Sequence, residues 1–161
     1  MMNAPHLHLL MNHVPVILVP VGLVLLLAGW IKRSGDLKGA ALWMLVAGGL
    51  FGGLAWMTGN AAHDVIHGLV PGISHEAIEA HEDAATVALI AAGLLGAFSL
   101  WGLLGFRGRK RLPSWFIAIA LAGSLVVSGL MARTANLGGK IRHTEILAGE
   151  QGKTPPESSH K

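Results

Sequence analysis

The sequence predicts an all-α integral membrane protein, a four-helix bundle with both termini on the outer, periplasmic side of the membrane. Of its 161 residues, 52% are hydrophobic and 13% are charged, a balance typical of membrane proteins. The apolar residues are gathered in four long runs that contain no charged residue. The basic residues stand mainly in two of the short connections between these runs.

Each apolar run predicts one membrane-spanning helix, because a run of about 20 residues crosses a hydrocarbon core of about 30 Å. The residues before the first run include no Lys or Arg. A signal peptide begins with a basic segment, so we expect the first run to be an uncleaved helix. We assign residues 1–145 to one membrane domain and 146–161 to a flexible or partner-bound outer tail. The predicted spans are 14–31, 39–58, 84–106 and 114–132.

The basic connections predict the orientation. Short loops rich in Lys and Arg stay in the cytoplasm, which places the N and C termini on the outer side of the membrane. We interpret the RGRKR run at 107–111 as such a topology signal and predict no nucleic-acid partner. All nine histidines and eight of the nine carboxylates then lie on the outer side. The basic residues in the two connections are Lys32, Arg33, Lys38, Arg107, Arg109, Lys110 and Arg111.

Two histidines lie just before the starts of different spans. His13 precedes the first and His81 precedes the third. Neutral imidazoles on two helices can ligate a haem iron from both sides. The chain has no cysteine, so the haem would be non-covalent haem b. The face that continues from His81 carries the small residues Ala85, Ala88 and Ala92, which we expect to leave room for a flat cofactor.

Three further residues are candidates for the same site. His8 lies five residues before His13, which turns a straight helix by about 140°. The two histidines could therefore face one ligand only if the helix began between them, with Asn12 as its cap. Otherwise His8 would serve a second haem or another site. Arg142 could pair with a haem propionate, and His143 is an alternative ligand. The Gly138–Gly139 pair is expected to end the helix or turn the chain.

The second connection offers an alternative metal site. His63 and His67 have the i, i+4 spacing that binds Cu or Zn when the segment is helical. In a loop, such a pair would be solvated. The segment PGISHEAIEAHED, 71–83, reads as a break followed by a helix capped by Ser74. Its carboxylates then complement the helix dipole and solubilise the helix that leads into the third span.

The motifs HLLMNHVPVIL, MTGNAA, VPGISHEAIEAHEDAATVAL and ANLGGKI resemble, in this order, an uncharacterised family of bacterial four-helix inner-membrane proteins. Some members of that family are fused to Rieske ferredoxin domains. The resemblance implies a four-helix bundle with outward-facing histidines and a redox role linked to haem. It carries over to His8, His13, His81 and the Gly138–Gly139 turn. Asn136 stands where many relatives have a histidine, and His143 is the candidate to replace that histidine.

These observations favour a small membrane b-type haem protein for electron transfer, with one haem or two. His13 and His81 would be the axial ligands. Expected partners are the lipid bilayer, quinol, and membrane or periplasmic redox proteins such as a cytochrome c or an iron–sulfur protein. The alternatives are a haem-free anchoring subunit of a respiratory complex and a periplasm-facing Cu or Zn protein. No nucleophile–base pair stands at a recognisable spacing, so an accessory or electron-transfer subunit is favoured over a stand-alone enzyme.

Overall fold

The computed structural model describes residues 4–69, 75–107 and 112–142, and within them the side chains of 10–57, 76, 78–107 and 112–139. Four α-helices make up these ranges, which contain no strand. They are α1 (Ala4–Ile31), α2 (Gly35–Leu69), α3 (His75–Gly105) and α4 (Ser114–Arg142). The predicted all-α fold is confirmed.

The helices pack in a ring, each against its neighbours in sequence, with α4 closing back onto α1. The short connections make successive helices antiparallel. All four helices are long and apolar enough to cross a membrane, over Leu10–Ile31, Gly35–Met57, Ile78–Gly105 and Ser114–Gly139. The four predicted spans are therefore confirmed as helices of membrane-crossing length and composition.

Every helix runs past its apolar run at the same end of the bundle, by about ten residues or about 15 Å. We call this part, residues 4–13, 59–69, 75–83 and 133–142, the histidine end. Every histidine within the described ranges lies in it. These histidines therefore lie on helical extensions of the bundle, and the second connection, whose state the sequence left open, is helical as far as Leu69.

One conditional boundary does not occur, and one predicted boundary is wrong. Asn12 does not begin α1, because the helix already begins at Ala4. The residues ahead of Asn12 include the strong helix formers leucine and methionine, and Pro5 stands in the first turn, where a helix needs no N–H. Gly138 and Gly139 do not end α4, which continues to Arg142. Tertiary packing overrides glycine's low helix propensity there.

At the opposite end of the bundle, the chain turns tightly between α1 and α2. Arg33 adopts a positive φ of 54°, and the Arg33 and Ser34 amides donate to the carbonyls of Trp30 and Gly29 at 3.3 and 3.0 Å. This is the Schellman arrangement that closes a helix C-terminus. The Ser34 hydroxyl then accepts from the Leu37 amide at 3.3 Å and caps α2. One three-residue turn thus ends α1 and begins α2.

Close helix contacts rest on small residues, as expected in lipid. A Cβ on Gly49 would lie 2.9 Å from the Ala92 carbonyl oxygen, and the Cα atoms of Gly49 and Gly96 face each other across α2 and α3. Ser99 and Ser124 are fully buried and donate to carbonyls one turn back in their own helices. The small residues of α2 and α3 therefore serve to bring the two backbones together.

Candidate functional site

His81 is the histidine whose surroundings the structure defines best. It lies on the extension of α3, half-buried, at the heptad position that continues through Ala88, Leu95 and Gly102, all of which are buried. Its Nδ1 lies 3.1 Å from the backbone carbonyl oxygen of Thr134 on α4. The side chain therefore faces the bundle and links the start of α3 to the end of α4.

The contact with Thr134 fixes the tautomer of the imidazole. A carbonyl oxygen can only accept a hydrogen bond, so the proton must be on Nδ1 of His81. In the neutral ring, Nε2 then carries the lone pair. A histidine that binds a metal through one nitrogen usually donates its other N–H to a carboxylate, a backbone carbonyl or water. The arrangement therefore suits His81 to ligate through Nε2.

Gly138 provides the space that the imidazole occupies. A Cβ at this position would lie 3.0 Å from Cε1 and 3.3 Å from Nδ1 of His81. A Cβ on the adjacent Gly139 would meet none of the described side chains within 4 Å. The two glycines thus differ among the described side chains: the ring of His81 packs on the first, and none of them contacts the second.

Thr134 was not predicted as part of the site, and Gly138 was singled out only as part of a turn. Thr134 sits on a regular turn of α4, where its hydroxyl donates to the Leu130 carbonyl at 3.0 Å. The signal that could have found Gly138 is its heptad register with Ile117, Ser124 and Met131, all buried. That register places Gly138 on the bundle-facing side of α4.

His13 is exposed. The residues four and eleven positions further along α1, Ile17 and Val24, are 59% and 64% exposed, and Leu27, two heptads on, is 42% exposed. His13 therefore lies on the outer face of α1. Because α1 is continuous from Ala4, His8 and His13 are about 140° apart around it. They cannot face one ligand.

The remaining candidates lie at the limits of the described chain. His63 and His67 are in α2, one turn apart, and Arg142 is the last residue of α4, one turn beyond Gly138. The side chains of His8, His63, His67 and Arg142 fall outside those that the structure describes, as does all of His143. Asn136 is exposed.

The alanine face below His81 is closed. Ala88 and Ala92 are each 1% exposed and belong to the bundle core, with α2 pressed against Ala92 at Gly49. The expectation of open space at these two residues is therefore wrong, because close packing of α2 and α3 uses them. Any flat cofactor at His81 must lie at or above the level of Ala84 and Ala85, within the histidine end.

The described side chains contain no group of three or more His, Cys, Asp or Glu that could hold a metal ion. A bare ion needs several protein ligands. A haem iron takes four nitrogens from its own porphyrin and one or two ligands from the protein.

One comparison with known proteins gives a match. A family model described as "Predicted membrane protein (DUF2231)" covers residues 4–146, nearly the whole chain. No curated protein and no solved structure matches. The matched range includes all four helices and the whole histidine end, so the resemblance to an uncharacterised membrane family is confirmed.

Proposed function

The chain belongs to the DUF2231 family of predicted membrane proteins, and we propose that it is a small b-type haem protein that transfers electrons at one face of a bacterial inner membrane. The observation that supports this most is the His81 imidazole, whose Nδ1–H donates to the Thr134 carbonyl. That hydrogen bond orients the ring and directs ligation to Nε2, as in metal-bound histidines.

The residues around His81 fit this role in three respects. The ring is half-buried at a helix interface, so water is partly excluded from it. Two helices hold it, so it cannot turn away without losing the Thr134 contact. Gly138 has no side chain, so the imidazole ring can pack directly on α4. When bound, the haem would supply one-electron oxidation and reduction of its iron.

Other residues of the histidine end would complete the site. The second axial ligand would come from His8, His13 or His143, and a second haem would use His8 or His143. Arg142, one turn beyond Gly138, would pair with a propionate through its guanidinium group. In the orientation we propose, the basic connections lie in the cytoplasm and the histidine end faces the periplasm. Electrons would pass between quinol or a membrane complex and a separate redox protein.

The Cu or Zn alternative gains one observation. α2 continues to Leu69, so His63 and His67 have the helical i, i+4 spacing that a metal pair requires. This candidate predicts Cu or Zn in haem-free protein, and loss of that metal in His63→Ala and His67→Ala. Metal analysis of the purified protein decides between the two.

Replacing His81 tests the haem proposal. We expect His81→Ala to lose haem by about tenfold or more, and His81→Gly to regain it in added imidazole, which can occupy the vacated place. His75→Ala, on the same helix, is the matched control and should retain haem. Haem content per protein and the reduced-minus-oxidised spectrum are the measurements. Equal haem in His81→Ala and wild type would contradict the role given to His81.

A further inference from the structure

We infer that position 8 of α1, and not position 13, lies on the bundle-facing side of the helix, and that His8 and not His13 shares the haem with His81. The ligand role rests on the proposed function. The choice between the two histidines rests on the register of α1, on the height of the two positions in the bundle, and on the order of the helices around the ring.

The register of α1 favours position 8. Pro15, Gly22 and Gly29 follow it at intervals of seven residues, and all three are buried. A helix returns to nearly the same side after seven residues, and α1 is unbroken from Ala4 to Ile31. Position 8 therefore continues the stripe of α1 that packs into the bundle. His13 belongs to the opposite stripe, with the exposed Ile17 and Val24.

The height of position 8 matches that of the His81 ring. Position 8 stands six residues outside the first apolar run, which begins at 14. The ring of His81 packs on Gly138, which stands six residues outside the fourth run, which ends at 132. At about 1.5 Å per residue both are about 9 Å beyond the apolar part of the bundle.

The order of the helices favours α1 as the source of the second ligand. His81 leans on α4, where Thr134 and Gly138 contact it, and the next helix around the ring from α4 is α1. The histidines of α2 lack the same register. Position 63 follows Trp56, which is 56% exposed, by one heptad. Position 67 lies two heptads after Gly53, and a Cβ on Gly53 would meet none of the described residues within 4 Å.

The first experiment compares His8→Ala with His13→Ala, each purified as the full chain in mild detergent. We expect His8→Ala to lose haem, or to change the retained haem from six-coordinate low-spin to five-coordinate high-spin iron, by optical and electron paramagnetic resonance spectra. His13→Ala should keep the wild-type spectrum. Loss of the low-spin signal in His13→Ala with its retention in His8→Ala would overturn the assignment while leaving the haem proposal intact.

A second measurement decides the placement without haem. The chain has no cysteine, so His8→Cys and His81→Cys can be combined and treated with a short bis-maleimide. His13→Cys with His81→Cys is the matched control. We expect an intramolecular cross-link in the first pair and little in the second; the reverse would overturn the placement. Wild-type protein without haem would remove the ligand role and the proposed function together, while a cross-link would still show position 8 facing His81.

Discussion

Replacing Gly138 with leucine is expected to lower haem binding about tenfold or more, the cost typical of disturbing a ligand's supporting shell. A Cβ at Gly138 would come within 3.0 Å of the His81 ring, and a leucine side chain would fill the place of the imidazole. His81 would then lose its hydrogen bond to Thr134, and Nε2 would leave its position. Haem per protein and the Soret band position are the measurements.

Gly139→Leu is the matched control for this prediction. The substitution is the same and adjoins the first, but among the described residues a Cβ at Gly139 meets no neighbour within 4 Å. Each leucine favours the helical state of α4 by about 1 kcal/mol relative to glycine. A difference in haem binding between the two variants therefore does not come from helix propensity. Equal haem loss in both would show that the pair acts through the helix and not through His81. Full haem in Gly138→Leu would exclude the packing role of Gly138.

Replacing Gly102 with leucine is expected to cost the bundle about 3 kcal/mol or more, at or beyond the upper end of overpacking effects. A Cβ on Gly102 would overlap the ring of Phe116, which is fully buried. Phe116 cannot retreat, because Phe98 stacks on it with ring centroids 4.6 Å apart. The substitution therefore pushes α3 and α4 apart near the end opposite the histidines.

Unfolding in detergent measures this cost, with Gly93→Leu as the control on the same helix. Gly93 is exposed on the lipid-facing side, and a Cβ there meets nothing. The unfolding midpoint of Gly102→Leu should fall clearly below that of wild type, and that of Gly93→Leu should stay the same or rise. A Gly102→Leu protein as stable as wild type would mean that Phe116 does not pack against Gly102.

The membrane-crossing part of the fold could be predicted because its cause is local. The predicted runs agree with the helix ends at the end of the bundle that carries the basic connections. There the first and third runs end, and the second begins, within a few residues of the ends of their helices. The fourth run begins at Ser114, as α4 does. The helical extensions of α1, α2 and α4 were not predicted, because hydrophobicity stops there while the helices continue, whereas the helix predicted ahead of the third span is present from His75. Position 69 closes α2 and Arg142 closes α4, each about ten residues beyond the apolar run. In that region helix propensity and packing between helices extend the structure.

The candidate site could be predicted in part. The sequence singled out His81, because a histidine at the mouth of an apolar run is visible by position. Its partner Thr134 lies 53 residues away, and no local pattern joins the two. A Gly–Gly pair usually predicts a helix end, so the packing of His81 on Gly138 could not be predicted from it. The exposure of His13 could not be predicted either, because it depends on which side of α1 the other helices cover.

The most direct test of the haem proposal is the reduced-minus-oxidised optical spectrum of the wild-type chain, purified in mild detergent from a haem-replete host, with a pyridine haemochrome assay for stoichiometry. We predict sharp α and Soret bands and at least one haem b per chain. A colourless protein that contains no haem would contradict the proposal, and metal analysis of that sample would then decide between a Cu or Zn protein and an anchoring subunit.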